Sequence, residues 1–159
     1  MVTLPYLDWL EEVLAGKLTA KPVGDPVAVR VHARLTSDHG LLIPTLAATV
    51  RIVSRWFGQD SPKLYAQGGV EQSHVNVLAT FAGGQTALVG SELIRESATS
   101  HTNQTEVKIL LVGNHGTMEF ADSPGEDTLP VDLALSNDSQ AQAIARAIEQ
   151  SLREHKPIG

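Results

Sequence analysis

Apolar positions along the chain follow two spacings, and each change of spacing marks a change of element. Val27, Val29, Val31, Ala33 and Leu35 alternate with Ala28, Arg30, His32 and Arg34. One side is apolar and the other wet, which predicts a half-buried strand. After the turn at Asp38-His39-Gly40, Leu42, Leu46, Val50, Val53 and Phe57 recur at three and four. That spacing predicts an amphipathic helix over Leu41 to Phe57 with Gly58 behind it. Pro44 fits only a first turn, so the expected helix start is near Ile43. Upstream, Leu7, Leu10 and Leu14 share one face of an expected helix, Leu4–Ala15, which Gly16 ends. A linker with Pro22, Gly24 and Pro26 follows it.

The remainder is mostly strand. Lys63 to Gln67 is short; Val75, Val77, Ala79 and Phe81 run into Gly83-Gly84, a two-residue hairpin signal, and Thr86 to Glu96 returns antiparallel. Ser97 to Gln104 has no apolar period and is expected as a loop. Glu106 to Val112 and Thr117 to Ala121 form a second hairpin around Gly113-Asn114-His115-Gly116. A further strand is expected near Leu129 to Leu133, beyond a loop through Pro124 and Gly125. Ser136 or Asn137 then caps a closing helix, Asp138–Glu154, with Ile144, Ile148 and Leu152 on one face. The expected fold is one α+β domain: an open, mostly antiparallel mixed sheet with helices packed on one face. Residues 1–26 supply the first helix and linker, 27–135 the sheet with its long helix, and 136–159 the last helix.

The second face of that sheet raises a question of burial. Leu78 is out of phase with Val77, and Leu110 and Val112 are out of phase with Leu111. Both faces of the middle strands therefore carry apolar residues, and helices cover only one. Either the chain's own loops, Ser97 to Gln104 above all, cover the other face, or a second copy does. Large open apolar faces are uncommon on monomers, so a two-fold homodimer through Leu78, Leu110 and Val112 is expected.

Composition narrows the classes of function. The 159 residues, 42% hydrophobic and 19% charged, suit a single soluble domain. A net charge of -6 with no basic run argues against nucleic acid or anionic membranes as partners. No cysteine is present, so disulfides and thiolate chemistry are excluded. Met1 to Leu14 carries Asp8, Glu11 and Glu12, unlike a secretory signal, and no apolar run reaches the roughly 18 residues of a membrane span. A cytoplasmic protein is the expectation.

Candidate chemistry is sparse. A dinucleotide site needs a strand, a G-x-G-x-x-G turn and a helix. Gly68-Gly69, Gly83-Gly84 and Gly113-x-x-Gly116 have other spacings and lie between strand-like runs, so no nucleotide cofactor is expected. The six histidines form no i, i+4 helical pair beside a carboxylate, so no metal is expected. His115 and His155 have structural readings in a turn and near a helix end. No serine or threonine has the glycine-flanked setting of a hydrolase nucleophile. Trp9 and Trp56 read as core anchors.

Several segments together resemble the C-terminal domain of the glucose–fructose oxidoreductase / inositol dehydrogenase / MocA-like family. Leu14-Ala-Gly-Lys-Leu18 followed by Gly24-Asp-Pro-Val-Ala-Val-Arg30 is similar to the family's helix end and crossover. Gly40 to Gly58 resembles its long helix with a tryptophan-bearing end. Val77 to Gly84 with Thr86 to Gly90, and Val112 to Phe120, resemble its two hairpins, and Ile148 to Ile158 resembles its ending. The resemblance implies a substrate-side sheet domain, and its members commonly associate through this sheet. In that family the long helix carries an aspartate and, four residues on, a histidine for proton transfer. Those positions fall on Pro44 and Ala48 here, neither of which can exchange a proton, so catalysis by the family mechanism is not expected.

Four residues are left as candidate contacts with a ligand or partner. His39 precedes the long helix and also suits a capping turn. Arg51 sits four residues before Arg55 on the helix's polar side, where a solvated face is the plain reading. Glu92 and Arg95 lie in the strand matching the substrate-facing sheet and are opposite in phase, so only one can face the open side. The expected function is a non-catalytic sheet domain serving oligomerisation, binding or scaffolding. The alternative is the substrate side of an NAD(P)-dependent oxidoreductase whose nucleotide-binding part is another segment or a separate subunit.

Overall fold

The computed structural model describes residues 24–35, 42–59, 61–69, 73–93, 106–122 and 139–159. Six strands and two helices are described: β1 (Pro26–Leu35), α1 (Leu42–Phe57), β2 (Lys63–Gly69), β3 (His74–Thr80), β4 (Thr86–Leu93), β5 (Glu106–Gly113), β6 (Gly116–Asp122) and α2 (Ser139–Glu154). The expected helix Leu4–Ala15, the turn at Asp38-His39-Gly40, the loop Ser97 to Gln104 and the strand near Leu129 to Leu133 lie outside the described residues.

The strands form one open sheet in the order β2-β3-β4-β1-β5-β6. β1 runs parallel to β4 and antiparallel to β5, and every other pairing is antiparallel. The fold is α+β with a mixed, mostly antiparallel sheet, as its two spacings require. The parallel pair at the centre needs a crossover, and α1 with the β2–β3 hairpin supplies it.

Both helices lie on one face. Val29, Val31, Ala33, Leu64, Ala66, Val75, Val77, Ala79, Ala87, Val89, Val107, Ile109 and Leu111 form the buried side of the strands. Leu42, Leu46, Val50, Val53 and Phe57 of α1 complete that core with Ala141, Ile144 and Ile148 of α2. α1 is buried around more of its circumference than one stripe requires. Ile43, Ala47, Ala48 and Trp56 are also covered, and α1 packs beside α2 as well as on the sheet. Helix α1 begins at Leu42, one residue before the expected Ile43, and Pro44 sits where the helix has no internal use for its N–H. Gly58, at φ 67°, closes it: Gly58 N–H donates to the Arg55 carbonyl and Gln59 N–H to that of Ser54.

Two local expectations need correction. The β3–β4 connection is a five-residue turn, Phe81 to Gln85, not a two-residue hairpin at Gly83-Gly84. Gly84 N–H donates to the Phe81 carbonyl, Phe81 N–H donates to that of Gln85, and Gly84 takes φ 89°. This is a tight turn followed by a left-handed residue, and it leaves Phe81 in phase with Ala79 on the core side. There its ring meets Phe57 edge-on at 5.1 Å. The second face of the sheet is also less uniformly apolar than expected, since Asn76, His32, Lys108, His74, Glu92 and Arg34 stand on it.

The outer edge of β2 is covered. Leu64 and Ile158 exchange backbone bonds of 2.7 and 2.8 Å. The fully buried Ser151 hydroxyl accepts Ala66 N–H at 2.9 Å and donates to the Lys156 carbonyl at 2.7 Å. One side chain thus ties the last helix and the chain end to an edge that would otherwise offer free backbone groups.

Candidate functional site

Because residues directly opposite across a sheet share a face, the register places the open side row by row. One row reads Tyr65, Leu78, Leu88, Arg30, Leu110, Glu119, crossing all six strands. Leu78 and Leu88 stand opposite each other and are 42% and 38% exposed, large values for leucines in central strands. Leu110 and Val112 are half-buried on the same face. Leu78, Leu110 and Val112 therefore share the open face, and Leu88 stands among them. Leu88 was legible, since it alternates with Ala87 and Val89.

Toward the other end of the strands the open face turns polar. Asn76, Gly90, His32 and Lys108 form one row, and His74, Glu92 and Arg34 stand side by side in the next. The Glu92 carboxylate lies 3.9 Å from His32 Nε2 and 3.6 Å from Arg34 Nε. Asn76 Nδ2 and His74 Nε2 are 3.3 Å apart. A side chain at Gly90 would collide with the Asn76 amide oxygen and press on His32 Nδ1, so the glycine lets these groups converge. Burial holds the His32 imidazole below its ordinary 6.5; Glu92 opposes the shift, while His74, Arg30 and Arg34 add to it.

The candidate residues separate. Glu92 faces the open side and pairs as described. Arg51 is on the helix layer, half-buried, where it lines a groove of about 180 Å³ with Ser54, Gln140 and Ile144. Arg51 and Glu92 therefore belong to opposite sides of the sheet and do not share a site. His39 and Arg95 lie outside the described residues. Pro44 is half-buried and Ala48 buried in the first turns of α1. Among the described residues, no carboxylate and no imidazole lines the groove beside Arg51. Among the described residues no cluster of three His, Asp or Glu could hold a metal ion. No described helix is long and apolar enough to cross a membrane. His32, Arg34, His74 and Asn76 escaped the sequence reading, because they meet only once three strands are aligned.

The fold is that of the C-terminal sheet domain of glucose–fructose oxidoreductase / inositol dehydrogenase / MocA-like proteins. A probable dehydrogenase from Thermotoga maritima matches with a TM-score of 0.65 at 11% identity, over 96% of this chain and 61% of that one. Myo-inositol 2-dehydrogenase from Lactobacillus plantarum matches at 0.62 and 12% identity, over 96% and 60%. Scyllo-inositol dehydrogenase from Lactobacillus casei, solved with NAD(H) and scyllo-inositol, matches at 0.58 and 12% identity, over 96% and 60%. The chain thus spans about three fifths of these structures. No family model and no curated relative matches the sequence.

Proposed function

We propose that this chain is a non-catalytic sheet domain that binds a second copy of itself through its open face, serving as an oligomerisation or scaffolding subunit. The exposed Leu78–Leu88 pair at the heart of that face carries the reading. Leucines this exposed in central strands are stabilised by burial against a partner, at about 25 cal/mol per Å² removed from water. Six strands about 4.8 Å apart and seven residues long make a face of roughly 700 Å², near the roughly 800 Å² per partner of a stable interface. Pro44 and Ala48 support the non-catalytic part, since neither can move a proton.

Sedimentation at micromolar concentration tests it. A species at twice the 17.0 kDa chain mass is expected; a monomer throughout would refute the reading. A second reading has one observation in its favour: the similar structures are dehydrogenases, one of them holding NAD(H). In it the chain is the substrate side of an NAD(P)-dependent oxidoreductase whose nucleotide-binding part is another segment or subunit. Calorimetric titration with myo-inositol and scyllo-inositol separates the two for this chain, since a substrate side can bind its ligand without the nucleotide-binding part. No heat is expected, and stoichiometric binding tighter than about 0.1 mM would favour the second.

A further inference from the structure

We propose that Asn76 couples two histidines of the open face. When His74 takes up a proton, the Asn76 amide turns over, and His32 moves its proton from Nδ1 to Nε2, toward Glu92. The coupling lies within one chain and does not depend on what the open face binds.

The hydrogen-bonding roles define the first state. Asn76 Nδ2 and His74 Nε2 are 3.3 Å apart. An amide nitrogen only donates, so His74 Nε2 accepts, and a neutral His74 carries its proton on Nδ1. The Asn76 amide oxygen lies on the other side, over Gly90, where a Cβ would meet it first and His32 Nδ1 next. Gly90 places no side chain between them. An acceptor oxygen on that side favours the form of His32 with its proton on Nδ1. The bare Nε2 is then left 3.9 Å from the Glu92 carboxylate, another acceptor.

Protonation of His74 reverses these roles. Both nitrogens of an imidazolium donate, so Nε2 can no longer accept from Asn76 Nδ2. Turning the amide over presents its oxygen to His74 and its NH2 group to His32 Nδ1. That nitrogen must now accept, so its proton leaves to solvent and another is taken up at Nε2. One proton enters at His74, and the count on His32 is unchanged. The Glu92 carboxylate, already 3.6 Å from Arg34 Nε, then faces an imidazole N–H as well.

The surroundings assign the first proton to His74. Glu92 stands directly opposite it on β4, while β2 sets the uncharged Gly69 beside His74 and Gln67 beside Asn76. His32 has Arg30 and Arg34 on its own side of β1 and Lys108 opposite on β5, and Glu106 takes the register position beyond Arg34. Burial disfavours a charge on His32; Glu92 opposes that effect, whereas His74, Arg30 and Arg34 add to it. His32 therefore stays neutral at the first step and responds by changing tautomer.

Imidazole nitrogen NMR shifts of the isotope-labelled chain, followed from about pH 8 to about pH 5, test the coupling. His32 should carry its proton on Nδ1 at the upper end. Its ratio of Nδ1–H to Nε2–H forms should fall about fivefold or more, with the same midpoint as the His74 titration. Asn76→Ala should abolish that response while His74 still titrates. His74→Gln takes up no proton and should hold His32 in the Nδ1–H form until His32 is itself protonated. Both positions are half-buried on the open face, so both variants should fold. An Nε2–H form of His32 at the upper end in the unmodified chain overturns the proposal. So does a response of His32 that persists in either variant.

Discussion

The buried Ser151 hydroxyl bonds Ala66 N–H in edge strand β2 at 2.9 Å, across 85 residues of sequence. It also donates to the Lys156 carbonyl, so the helix, the edge and the chain end share one polar contact. Replacing Ser151 with alanine leaves a buried N–H and a carbonyl without partners. The expected cost is about 2–3 kcal/mol of stability, read as a lower midpoint in urea denaturation. A change within about 0.5 kcal/mol would mean that water replaces the hydroxyl at no cost.

His155 follows the last turn of α2 at φ 53°, the left-handed region that suits glycine. Its N–H donates to the Ser151 carbonyl at 2.8 Å, a bond that a glycine backbone retains. His155→Gly is expected to stabilise the protein by about 0.5–1 kcal/mol, since it relieves the Cβ strain. A lower melting temperature would show that the exposed imidazole contributes more than the strain it brings.

Stability is expected to fall as pH drops below about 6.5. Burial holds the His32 imidazole of the folded chain below 6.5, so the unfolded chain takes up the proton first. Its contribution is complete above that value and is lost as pH falls toward the folded-state pKa. His32→Gln should flatten the curve between pH 6.5 and that point. Urea midpoints of both proteins across this range provide the check, and parallel curves would assign the acid loss to other groups.

Leu88→Lys should split the proposed dimer while leaving the monomer folded, because the side chain already touches solvent. A lysine buried there without a partner should raise the dissociation constant by about a hundredfold, or roughly 3 kcal/mol. Glu149→Lys, on the exposed side of α2, should leave association unchanged. Equal effects from both substitutions would point to a general charge effect in place of a sheet interface.

The elements were legible wherever their spacing was local. The alternation through Val29, Val31 and Ala33 and the three–four stripe from Leu42 to Phe57 each report which side of one segment must be buried, whereas Val27, beside the register shift at the start of β1, is 45% exposed; both elements stand within a residue of their expected ends. The absence of proton-transfer groups at Pro44 and Ala48 needed no coordinates either, since side-chain type alone decides it. The β3–β4 turn was misjudged because Gly83-Gly84 suggests a shorter loop than the bonds of Phe81 close.

Tertiary structure alone decided which strands are neighbours. Pairing β1 with β4 joins residues far apart in sequence, and it follows from where α1 buries its stripe, not from any spacing within either strand. That pairing brings His32, Arg34 and Glu92 together over Gly90, and it sets Arg51 on the other side of the sheet from Glu92. Period and residue type act within one element and can be read along the chain. Convergence of side chains depends on register between elements, which the packing of the whole core determines.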